Sequence, residues 1–299
     1  MTQRIAVLGS ANMDLVVRQP RLPRPGETMF GSDFSTVPGG KGLNQAVAAA
    51  RAGGSVEFLG AVGADAFGDA LRECLRREGI GVDGLATVEA PTGTAHISVL
   101  DGGENAIVVV SGANNAVTAL DDAARAAIAA SGFLVLQFER PADLVAEALE
   151  FAQENGVLTV LTPAPVRAVE PGLLSLVDIL VLNEHEVREL AGLDDVVDAG
   201  RALSREARTV VVTQGARGAF VAEDGELAGE VAPHRVEPID TTAAGDTFVG
   251  VLVARLAAGD EPKGALRAAS VAAALSTTKL GASTSMPAWA EVEPLLGAS

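Results

Sequence analysis

The regular alternation of strand and helix patterns after residue 117 is the strongest constraint on how this chain can fold. Short apolar runs alternate there with longer segments whose apolar residues recur at helical spacing. Because neighbouring parallel strands need a crossover connection, usually a helix, this order predicts parallel βαβ units with helices on both faces of one sheet. The predicted strands are Phe133–Gln137, Leu158–Leu161, Ile179–Leu182 and Thr209–Thr213, and the predicted helices are Leu120–Ala130, Pro141–Asn155, Glu184–Leu190, Val197–Arg205, Asp246–Ala258 and Pro262–Lys279.

Four extended segments in the first 112 residues do not take part in this alternation. Leu15–Val17 and Thr28–Val37 follow the first strand, Ile5–Leu8, with no helix between them, and Thr94–Leu100 with Ala106–Val110 forms a hairpin pattern. We therefore predict a single α/β domain over residues 1–299. Its main part is a doubly wound, mostly parallel sheet, and a small β-sheet is inserted from about 12–38 and 93–112.

Composition narrows the range of partners. The net charge of −17 makes nucleic acid and anionic membrane surfaces unexpected partners. No apolar stretch is long and unbroken enough to span a bilayer. Cys74 is the only cysteine, which excludes an intramolecular disulfide and favours a cytoplasmic location. Because Cys74 lies in an apolar helical pattern, we predict a buried structural thiol.

The segment Asp240–Phe248 combines small residues with the start of an apolar helix. Such a start binds anions, because its first backbone N–H groups have no partner within the helix and the helix dipole is positive there. Asp246 would repel a phosphate at this place, but it could receive the proton of a hydroxyl that attacks one. A helix cap is the commoner role for such an aspartate. Its place at the helix start also predicts that its ionised form is favoured.

Further polar clusters follow other predicted strands, at the edge where parallel sheets bind ligands. Asn12 and Asp14 follow the first strand, and Glu139 follows the strand that ends at Gln137. The glycine-rich segment Gly39–Gly42 could cradle phosphate or close over a small polar ligand. It is not a P-loop, because its spacing differs and no Ser or Thr follows Lys41.

Two more clusters have local alternatives that the sequence leaves open. Asn183 and Glu186 fit a helix cap with a solvated neighbour as well as a metal or phosphate site. Thr213–Gly218 fits an ordinary turn as well as a nucleotide-phosphate loop. The convergence of all these loops on one edge of the sheet is what indicates a ligand site.

Taken together, these segments resemble the ribokinase-like carbohydrate kinase superfamily. Asp240–Phe248 resembles its second signature, Gly39–Ala46 its first, and Asn183–Glu186 its Asn-x-x-Glu motif. Shorter matches extend the resemblance, in the same order, over nearly the whole chain: Leu8–Asp14, Pro25–Thr28, Ser111–Asn114, Gln137–Glu139 and Pro163–Pro165.

The resemblance implies a role for each matching position. Asp246 would receive the proton of a primary hydroxyl, while Ala243, Ala244 and Gly245 would form the anion hole for the transferred phosphoryl group. The implied sugar contacts are Asn12, Asp14, Gly40, Lys41, Gly42, Asn44, Glu139 and Asp246. The implied nucleotide-side residues are Asn183, Glu186, Thr213, Gly215, Ala216, Arg217, Gly218, Gly245 and Ser270, with Glu186 linked to Mg²⁺. The implied ligands of a monovalent cation, usually K⁺, are Asp240, Thr242, Ser276, Lys279, Gly281 and Ser285.

The resemblance also implies the reaction, which is ATP-dependent phosphorylation of the primary hydroxyl of a sugar, with D-ribose as the first expectation. A fructose, ketodeoxygluconate or nucleoside kinase is the alternative within this class, and a non-catalytic sugar- or nucleotide-binding regulator lies outside it. Polar residues at the implied sugar contacts favour a bare sugar over a nucleoside, and Asp246 favours an enzyme. We expect the small sheet to be a lid that excludes water and to join two subunits in a homodimer.

Three positions depart from the pattern of this superfamily. Thr162 stands where Asn is frequent, and Ser270 stands where His or Asn is usual on the adenine side. Met13 replaces a smaller residue between Asn12 and Asp14, so we expect it to narrow the sugar pocket.

Overall fold

The computed structural model of the protein describes residues 2–102 and 104–297. Met1, Gly103, Ala298 and Ser299 of the predicted domain lie outside the described residues. The strands are β1 (Arg4–Leu8), β2 (Asn12–Gln19), β3 (Asp33–Gly39), β4 (Ser55–Gly63), β5 (Leu85–Val88), β6 (Gly93–Leu100), β7 (Asn105–Val110), β8 (Phe133–Gln137), β9 (Leu158–Thr162), β10 (Ile179–Asn183), β11 (Thr209–Thr213), β12 (Ala219–Glu223) and β13 (Glu226–Val231). The α-helices are α1 (Lys41–Arg51), α2 (Ala66–Arg77), α3 (Asp122–Ala129), α4 (Ala142–Glu154), α5 (Glu184–Ala191), α6 (Val196–Leu203), α7 (Ala244–Ala257), α8 (Pro262–Ser276) and α9 (Trp289–Leu296).

The larger sheet has the strand order β13-β12-β11-β10-β9-β8-β1-β4-β5. The strands from β11 to β5 pair in parallel, and the hairpin of β12 and β13 adds an antiparallel edge. Central parallel strands are buried on both faces, so they carry nearly continuous apolar residues. In β1, Ile5 and Val7 enter one hydrophobic core, while Ala6 and Leu8 enter the other. The predicted fold class, a doubly wound and mostly parallel α/β sheet, is confirmed.

Helices cover both faces of this sheet. Apolar residues of α1, α2, α7, α8 and α9 belong to one core, and those of α3, α4, α5 and α6 belong to the other. The helices α1 and α7 pack closely against each other at Gly250. A Cβ atom there would lie 2.5 Å from Ala48 Cβ and 2.5 Å from the Gln45 carbonyl oxygen. This contact brings the first turns of the two helices together at the carboxyl edge of the sheet.

The small sheet has the strand order β3-β2-β6-β7. Side chains alternate between the faces of a strand, so Asn12 and Asp14 of β2 lie on one face and Met13 on the other. Met13 is 4% exposed and belongs to a hydrophobic core. The expectation that Met13 narrows the sugar pocket is therefore wrong, because the strand turns it away from Asn12 and Asp14.

The remaining differences concern short or marginal elements. No sequence pattern predicted β5, which has four residues and pairs with β4 at the edge of the sheet. The segment predicted to be extended from Thr28 becomes a strand only at Asp33, where pairing with β2 begins. The helix α8 ends at Ser276 instead of Lys279, and Cys74 is half-buried instead of buried. Burial raises the pKa of the Cys74 thiol.

None of the helices in the described ranges combines the length and the apolar character that crossing a bilayer would require.

Candidate active site

Asp246 lies in the first turn of α7 and is only 8% exposed. Asn44 Nδ2 donates a hydrogen bond to Asp246 Oδ2 (3.1 Å), and Gln45 Nε2 donates one to Asp246 Oδ1 (3.0 Å). Both donors belong to the first turns of α1, so the close packing of α1 on α7 sets the position of this carboxylate.

Burial raises the pKa of Asp246, although Lys41 and the two amide donors favour its ionised form. The expectation that the ionised form of this carboxylate is favoured is therefore wrong, because desolvation outweighs the stabilisation by Lys41, Asn44 and Gln45. A raised pKa makes Asp246 a stronger acceptor of a hydroxyl proton than an exposed aspartate would be.

Gln45 and Gln137 are parts of this site that the sequence reasoning missed. Gln137 Nε2 donates to Gln45 Oε1 (2.6 Å), which leaves the Gln45 amide nitrogen facing Asp246. The same Gln45 nitrogen lies 3.4 Å from Thr162 Oγ1. Thr162, one of the residues that depart from the family pattern, is therefore also part of this site. Their positions in the sequence could have indicated them, since Gln45 directly follows Asn44 and Gln137 ends the strand before Glu139.

Four of the predicted sugar contacts, Asn12, Asp14, Asn44 and Glu139, lie near Asp246 or on a cavity beside the small sheet. Asn12 is 2% exposed, and its Oδ1 accepts a hydrogen bond from Asn114 Nδ2 (2.7 Å). Asn44 Oδ1 is buried and accepts no hydrogen bond from any described residue. Because buried polar atoms are normally paired, this oxygen is suited to accept a hydroxyl of a bound ligand.

Asp14 and Glu139 place two further carboxyl groups near Asp246. Burial raises the pKa of Asp14 to about 7, and repulsion from Glu139 and Asp246 adds to the effect. Glu139 Oε2 accepts hydrogen bonds from Ser10 Oγ and from the backbone N–H of Lys41 (3.1 Å), at the start of α1. The site thus offers several carboxylate acceptors to the hydroxyls of a polar ligand.

The glycine run is explained by close approach of backbone and side chains. A Cβ atom at Gly39 would lie 2.2 Å from Asp14 Oδ2. Gly40 precedes α1 with φ 93°, in the left-handed region that favours glycine. A Cβ atom at Gly42 would lie 2.6 Å from the Ser10 backbone nitrogen. Gly39–Gly42 is therefore a packed junction between α1 and the small sheet.

Lys41 supplies the positive charge among these carboxylates. Burial lowers its pKa, but Asp246, Glu139 and Glu186 raise it by more, so the net shift is upward. Lys41 also lines a cavity of about 170 Å³ together with Asp246 and the backbone of Ala243, Ala244 and Gly245. Ala243 precedes α7 with φ 59°, and no described side chain caps this helix start. The cavity therefore combines a helix N-terminus with a cation, which suits a phosphoryl group.

Asn183 and Glu186 form a reciprocal helix cap. Asn183 Oδ1 accepts from the backbone N–H groups of His185 and Glu186 (2.9 Å each), and Glu186 Oε2 accepts from the Asn183 N–H (2.8 Å). Both residues also line the cavity that contains Lys41 and Asp246. The capping alternative is correct, and the structure brings the capped pair to the site as well.

A larger cavity of about 480 Å³ lies on the other side of the start of α7. Six of the predicted nucleotide-side residues line it: Thr213, Gly215, Ala216, Gly218, Gly245 and Ser270. Arg217 is not among the lining residues, and its guanidinium pairs with Glu184. Sequence reasoning missed the loop Pro233–Pro238, the α8 residues Ala273 and Ala274, and Thr277 directly after α8, because none of these segments has a motif.

The loop before α7 is tied to the segment after α8. Asp240 Oδ1 accepts from the Thr242 hydroxyl (2.6 Å) and Asp240 Oδ2 accepts from the Gly281 N–H (2.9 Å). This brings the six predicted cation ligands into two adjacent segments. The Lys279 ammonium pairs with Glu291 (2.9 Å), so only its backbone carbonyl is suited to a cation.

The chemistry of this loop differs from that of a divalent metal site. No group of three or more His, Cys, Asp and Glu is arranged around a common point in the described ranges. Hydroxyl and carbonyl oxygens with one carboxylate are instead the kind of ligands that hold monovalent cations.

Comparison with known proteins identifies extensive similarity. The sequence profile of "pfkB family carbohydrate kinase" matches residues 2–289. The chain is 40% identical to ribokinase of Haemophilus influenzae over 96% of both chains, and 39% identical to ribokinase of Bacillus subtilis over 98% of this chain and 99% of the relative. A solved structure of Arabidopsis thaliana ribokinase complexed with ribose and ATP superposes with a TM-score of 0.92 at 31% identity, with both chains covered completely.

Proposed function

The chain belongs to the pfkB family of carbohydrate kinases, and we propose that it transfers a phosphoryl group from ATP to the primary hydroxyl of D-ribose, giving D-ribose 5-phosphate. The observation that carries this proposal is the position of Asp246. Its carboxylate lies in the first turn of α7, beside a polar pocket next to the small sheet. The start of α7 also lines the cavity of about 480 Å³. A base, an acceptor pocket and a phosphate-binding helix start are thus adjacent.

Phosphoryl transfer depends mainly on positioning and on neutralising charge. Asp246, held by Asn44 and Gln45, aligns the sugar hydroxyl and receives its proton at a carboxylate oxygen. The backbone N–H groups at the start of α7 and the Lys41 ammonium stabilise the negative charge of the transferred group. The cavity of about 480 Å³ holds the nucleotide between the Thr213–Gly218 loop and α8.

The sugar pocket is built for several hydroxyl groups. Asn44 Oδ1 is a buried acceptor without a partner among the described residues. Asp14 and Glu139 add acceptors, and Asn114 orients the amide of Asn12. Filling such a pocket with a polyhydroxylated sugar would satisfy these buried polar groups.

Two cations complete the proposed site. Glu186, whose carboxylate also takes part in the helix cap, would hold Mg²⁺. Mg²⁺ neutralises phosphate charge when bound. K⁺ would be held by Asp240, Thr242, Ser276, Lys279, Gly281 and Ser285, and we expect K⁺ to stabilise the loop that precedes Ala243.

The enzyme is proposed to act in the cytoplasm, which accords with its single cysteine.

The decisive experiment measures ADP formation with a panel of sugars and nucleosides, in the presence of Mg²⁺ and K⁺. We expect turnover with D-ribose to exceed that with fructose, ketodeoxygluconate and nucleosides.

Asp246→Asn should lower kcat by about 10²–10⁴-fold, because the proton acceptor is lost. Ribose binding measured by calorimetry should be retained within a few-fold. Absence of ribose-dependent ADP formation would rule out the proposed activity, and binding without turnover in the wild type would favour the regulator.

The cation proposal has its own measurement. Replacing K⁺ by tetramethylammonium at equal ionic strength should lower kcat, since the larger ion cannot enter a site made of oxygen ligands. Asp240→Asn should remove most of this difference between the two salts. Equal activity in both salts would mean that the Asp240 loop binds no functional cation.

We also propose that the small sheet is a lid over the sugar pocket and that it joins two subunits. Val109 of β7 and Asn12 of β2 line a common cavity, so this face of the sheet looks onto the site. Val108 and Val110 are 65% and 51% exposed on the other face of an edge strand. Exposed apolar edge strands are pairing surfaces, and a second copy of the chain offers the matching strand.

A further inference from the structure

The side-chain amides of Gln45 and Gln137 form a buried pair behind the Asp246 carboxylate. Gln45 is 1% exposed and Gln137 is 0% exposed. Gln137 Nε2 donates a hydrogen bond to Gln45 Oε1 (2.6 Å), and Gln45 Nε2 donates one to Asp246 Oδ1 (3.0 Å). The two amides therefore form a chain of hydrogen bonds that ends on Asp246 and is shielded from solvent.

The amide chain has one arrangement of donors and acceptors that suits an ionised Asp246. The carbonyl oxygen of Gln45 accepts from Gln137, so its nitrogen is left for the carboxylate. With both amides reversed, the Gln45 oxygen would face a carboxylate oxygen, and neither atom carries a hydrogen to share. The bond between Gln45 and Gln137 thus sets which end of the Gln45 amide meets Asp246.

Gln137 is the fixed end of this chain. It is the last residue of β8, which pairs with β1 on one side and with β9 on the other. Its Oε1 is buried without a hydrogen-bond partner among the described residues, and a Cβ atom at Gly9 would lie 2.4 Å from it. An unpaired buried oxygen costs free energy. Among the described residues, the bond to Gln45 is the polar contact that offsets this cost.

Asn44 contacts the same carboxylate but differs from Gln45 in the use of its oxygen. Asn44 Nδ2 donates to Asp246 Oδ2 (3.1 Å), while Asn44 Oδ1 is buried and has no partner among the described residues. The Gln45 oxygen is occupied by Gln137. The Gln45 nitrogen faces Asp246 and Thr162. Asn44 can therefore serve both the sugar and Asp246, whereas the Gln45 amide has no oxygen left for the sugar.

We propose that Gln137 is a positioning residue for phosphoryl transfer, which acts through Gln45 by keeping the N–H group of that amide turned towards Asp246. This inference rests on the proposed kinase activity of the site. A carboxylate held by two N–H donors keeps a fixed direction towards the attacking hydroxyl, and small errors in such alignment lower the rate strongly. The donors also favour the ionised carboxylate, which is the form that can receive a proton.

Other charged groups act on this region, but they are not part of the amide chain. The described charged side chains that face it are Lys41, Asp14, Glu139 and Glu186. Lys41 favours the ionised form of Asp246, and Glu139 opposes it. Replacing Gln137 by an uncharged side chain leaves all four groups in place. A change in the titration of Asp246 in such a variant therefore reports the amide chain.

The first test compares Gln137→Met with the wild type in ADP formation from ribose and ATP. Met has a similar length but cannot donate a hydrogen bond to Gln45. We expect kcat to fall by about tenfold while the KM for ribose changes less than about twofold, because alignment is lost and sugar contacts are kept. The acid limb of the kcat profile should move to higher pH. Gln153→Met makes the same change at an exposed position of α4 and should alter none of these quantities.

A double-mutant cycle tests whether Gln137 acts through Gln45. Gln45→Met should lower kcat at least as much as Gln137→Met, and the double variant should resemble Gln45→Met. Additive losses would overturn the proposal, because Gln137 would then support the site independently of Gln45. An equal loss of kcat at every pH would overturn it as well. If Gln137→Met fails to fold, Gln137→Asn decides, since its shorter amide stays polar but stops short of Gln45.

Direct titration of Asp246 separates this inference from the proposed activity. Carboxyl ¹³C NMR of aspartate-labelled protein, with Asp246→Asn to assign the signal, follows the protonation of Asp246 without turnover. The pKa of Asp246 should be higher in Gln137→Met than in the wild type, and the same in Gln153→Met as in the wild type. An unchanged pKa in Gln137→Met would overturn the inference even in an active kinase. A raised pKa in a protein without ribose-dependent ADP formation would support the amide chain and refute the proposed function alone.

Discussion

At the scale of single residues, desolvation governs the pKa values of two carboxyl groups of the site, Asp14 and Asp246. Burial raises the pKa of both Asp14 and Asp246, although Asp246 lies at a helix start. Helix-dipole effects contribute about 0.3–1 kcal/mol, whereas burial of a carboxylate shifts its pKa by up to several units. Lys41 keeps its charge in this environment because three carboxylates surround it. The chemistry of the site thus depends on burial more than on any local sequence motif.

Asp14 leads to a prediction about pH and stability. Its pKa is about 7 in the folded protein and 3.8 for an ordinary aspartate, so folding takes up a proton between these values. The contribution of Asp14 therefore destabilises the fold progressively as pH rises from about 4 to about 7, by on the order of 2–4 kcal/mol in all. Asp14→Asn should remove this dependence.

The measurement is thermal unfolding of wild type and Asp14→Asn at pH 5, 6, 7 and 8. The variant should gain in unfolding temperature relative to the wild type up to about pH 7, with little further gain above it. Asp83→Asn replaces an exposed aspartate and serves as the control. A constant difference between wild type and Asp14→Asn across the pH series would contradict the assignment.

At the scale of secondary-structure elements, the contact between α1 and α7 places the catalytic carboxylate. Gly250 of α7 lies against Ala48 and the Gln45 carbonyl of α1, and Gln45 in turn binds Asp246. Small residues at this crossing allow the helix axes to come close. The two first turns are then near enough for amides of α1 to bond a carboxylate of α7.

We predict that Gly250→Ala destabilises the protein by about 1–3 kcal/mol, since the new Cβ would overlap backbone atoms of α1. This is the reverse of the usual effect, because Gly→Ala within a helix normally stabilises by up to about 1 kcal/mol. Displacement of Gln45 should also lower kcat more than it changes the KM for ribose. Gly264→Ala in α8, where a Cβ meets nothing within 4 Å, is the control and should be neutral or stabilising.

Chemical denaturation of both variants gives the two free energies of unfolding, and ADP formation gives kcat and KM. Equal stabilities for Gly250→Ala and Gly264→Ala would show that the helices have room to separate at this crossing.

At the scale of the whole molecule, the two sheets occupy different places around the site. The large parallel sheet carries the loops that meet at its carboxyl edge, and the small sheet stands over one side of that edge. The apolar side chains of β7 remain exposed in a single subunit, with Ile107, Val108, Val109 and Val110 between 48% and 65% exposed. A strand of this kind at a sheet edge is a surface that a partner strand would cover.

We predict that the double substitution Val108→Lys and Val110→Lys converts a dimer into monomers, because two charges would have to be buried in the subunit contact. Light scattering coupled to gel filtration measures the mass directly. Leu227→Lys on β13, which is the edge of the other sheet and 49% exposed, should leave the dimer unchanged. A monomeric wild type, or a dimeric double variant, would contradict the proposal.

The sequence was informative where local patterns and backbone requirements dominate. The alternation after residue 117 predicted the parallel sheet, since an apolar strand buried on both faces and an amphipathic helix leave different periodicities. Small residues before α7, and glycines before α1, indicated where backbone must approach closely. The sequence did not predict the short strand β5 or the start of β3, because these depend on pairing with a neighbouring strand and not on their own residues.

The sequence by itself therefore determined that Asp246 lies at the start of a helix that follows small residues, and that polar loops follow the strands. Only the tertiary structure decided that Gln45 and Asn44 bond this aspartate, that Met13 turns into the core, and that the Arg140 guanidinium is buried with no hydrogen-bond partner among residues 2–102 and 104–297. The reason is physical: helix and strand patterns arise from neighbours along the chain, whereas burial and pairing of a charge depend on residues far apart in sequence that packing brings together.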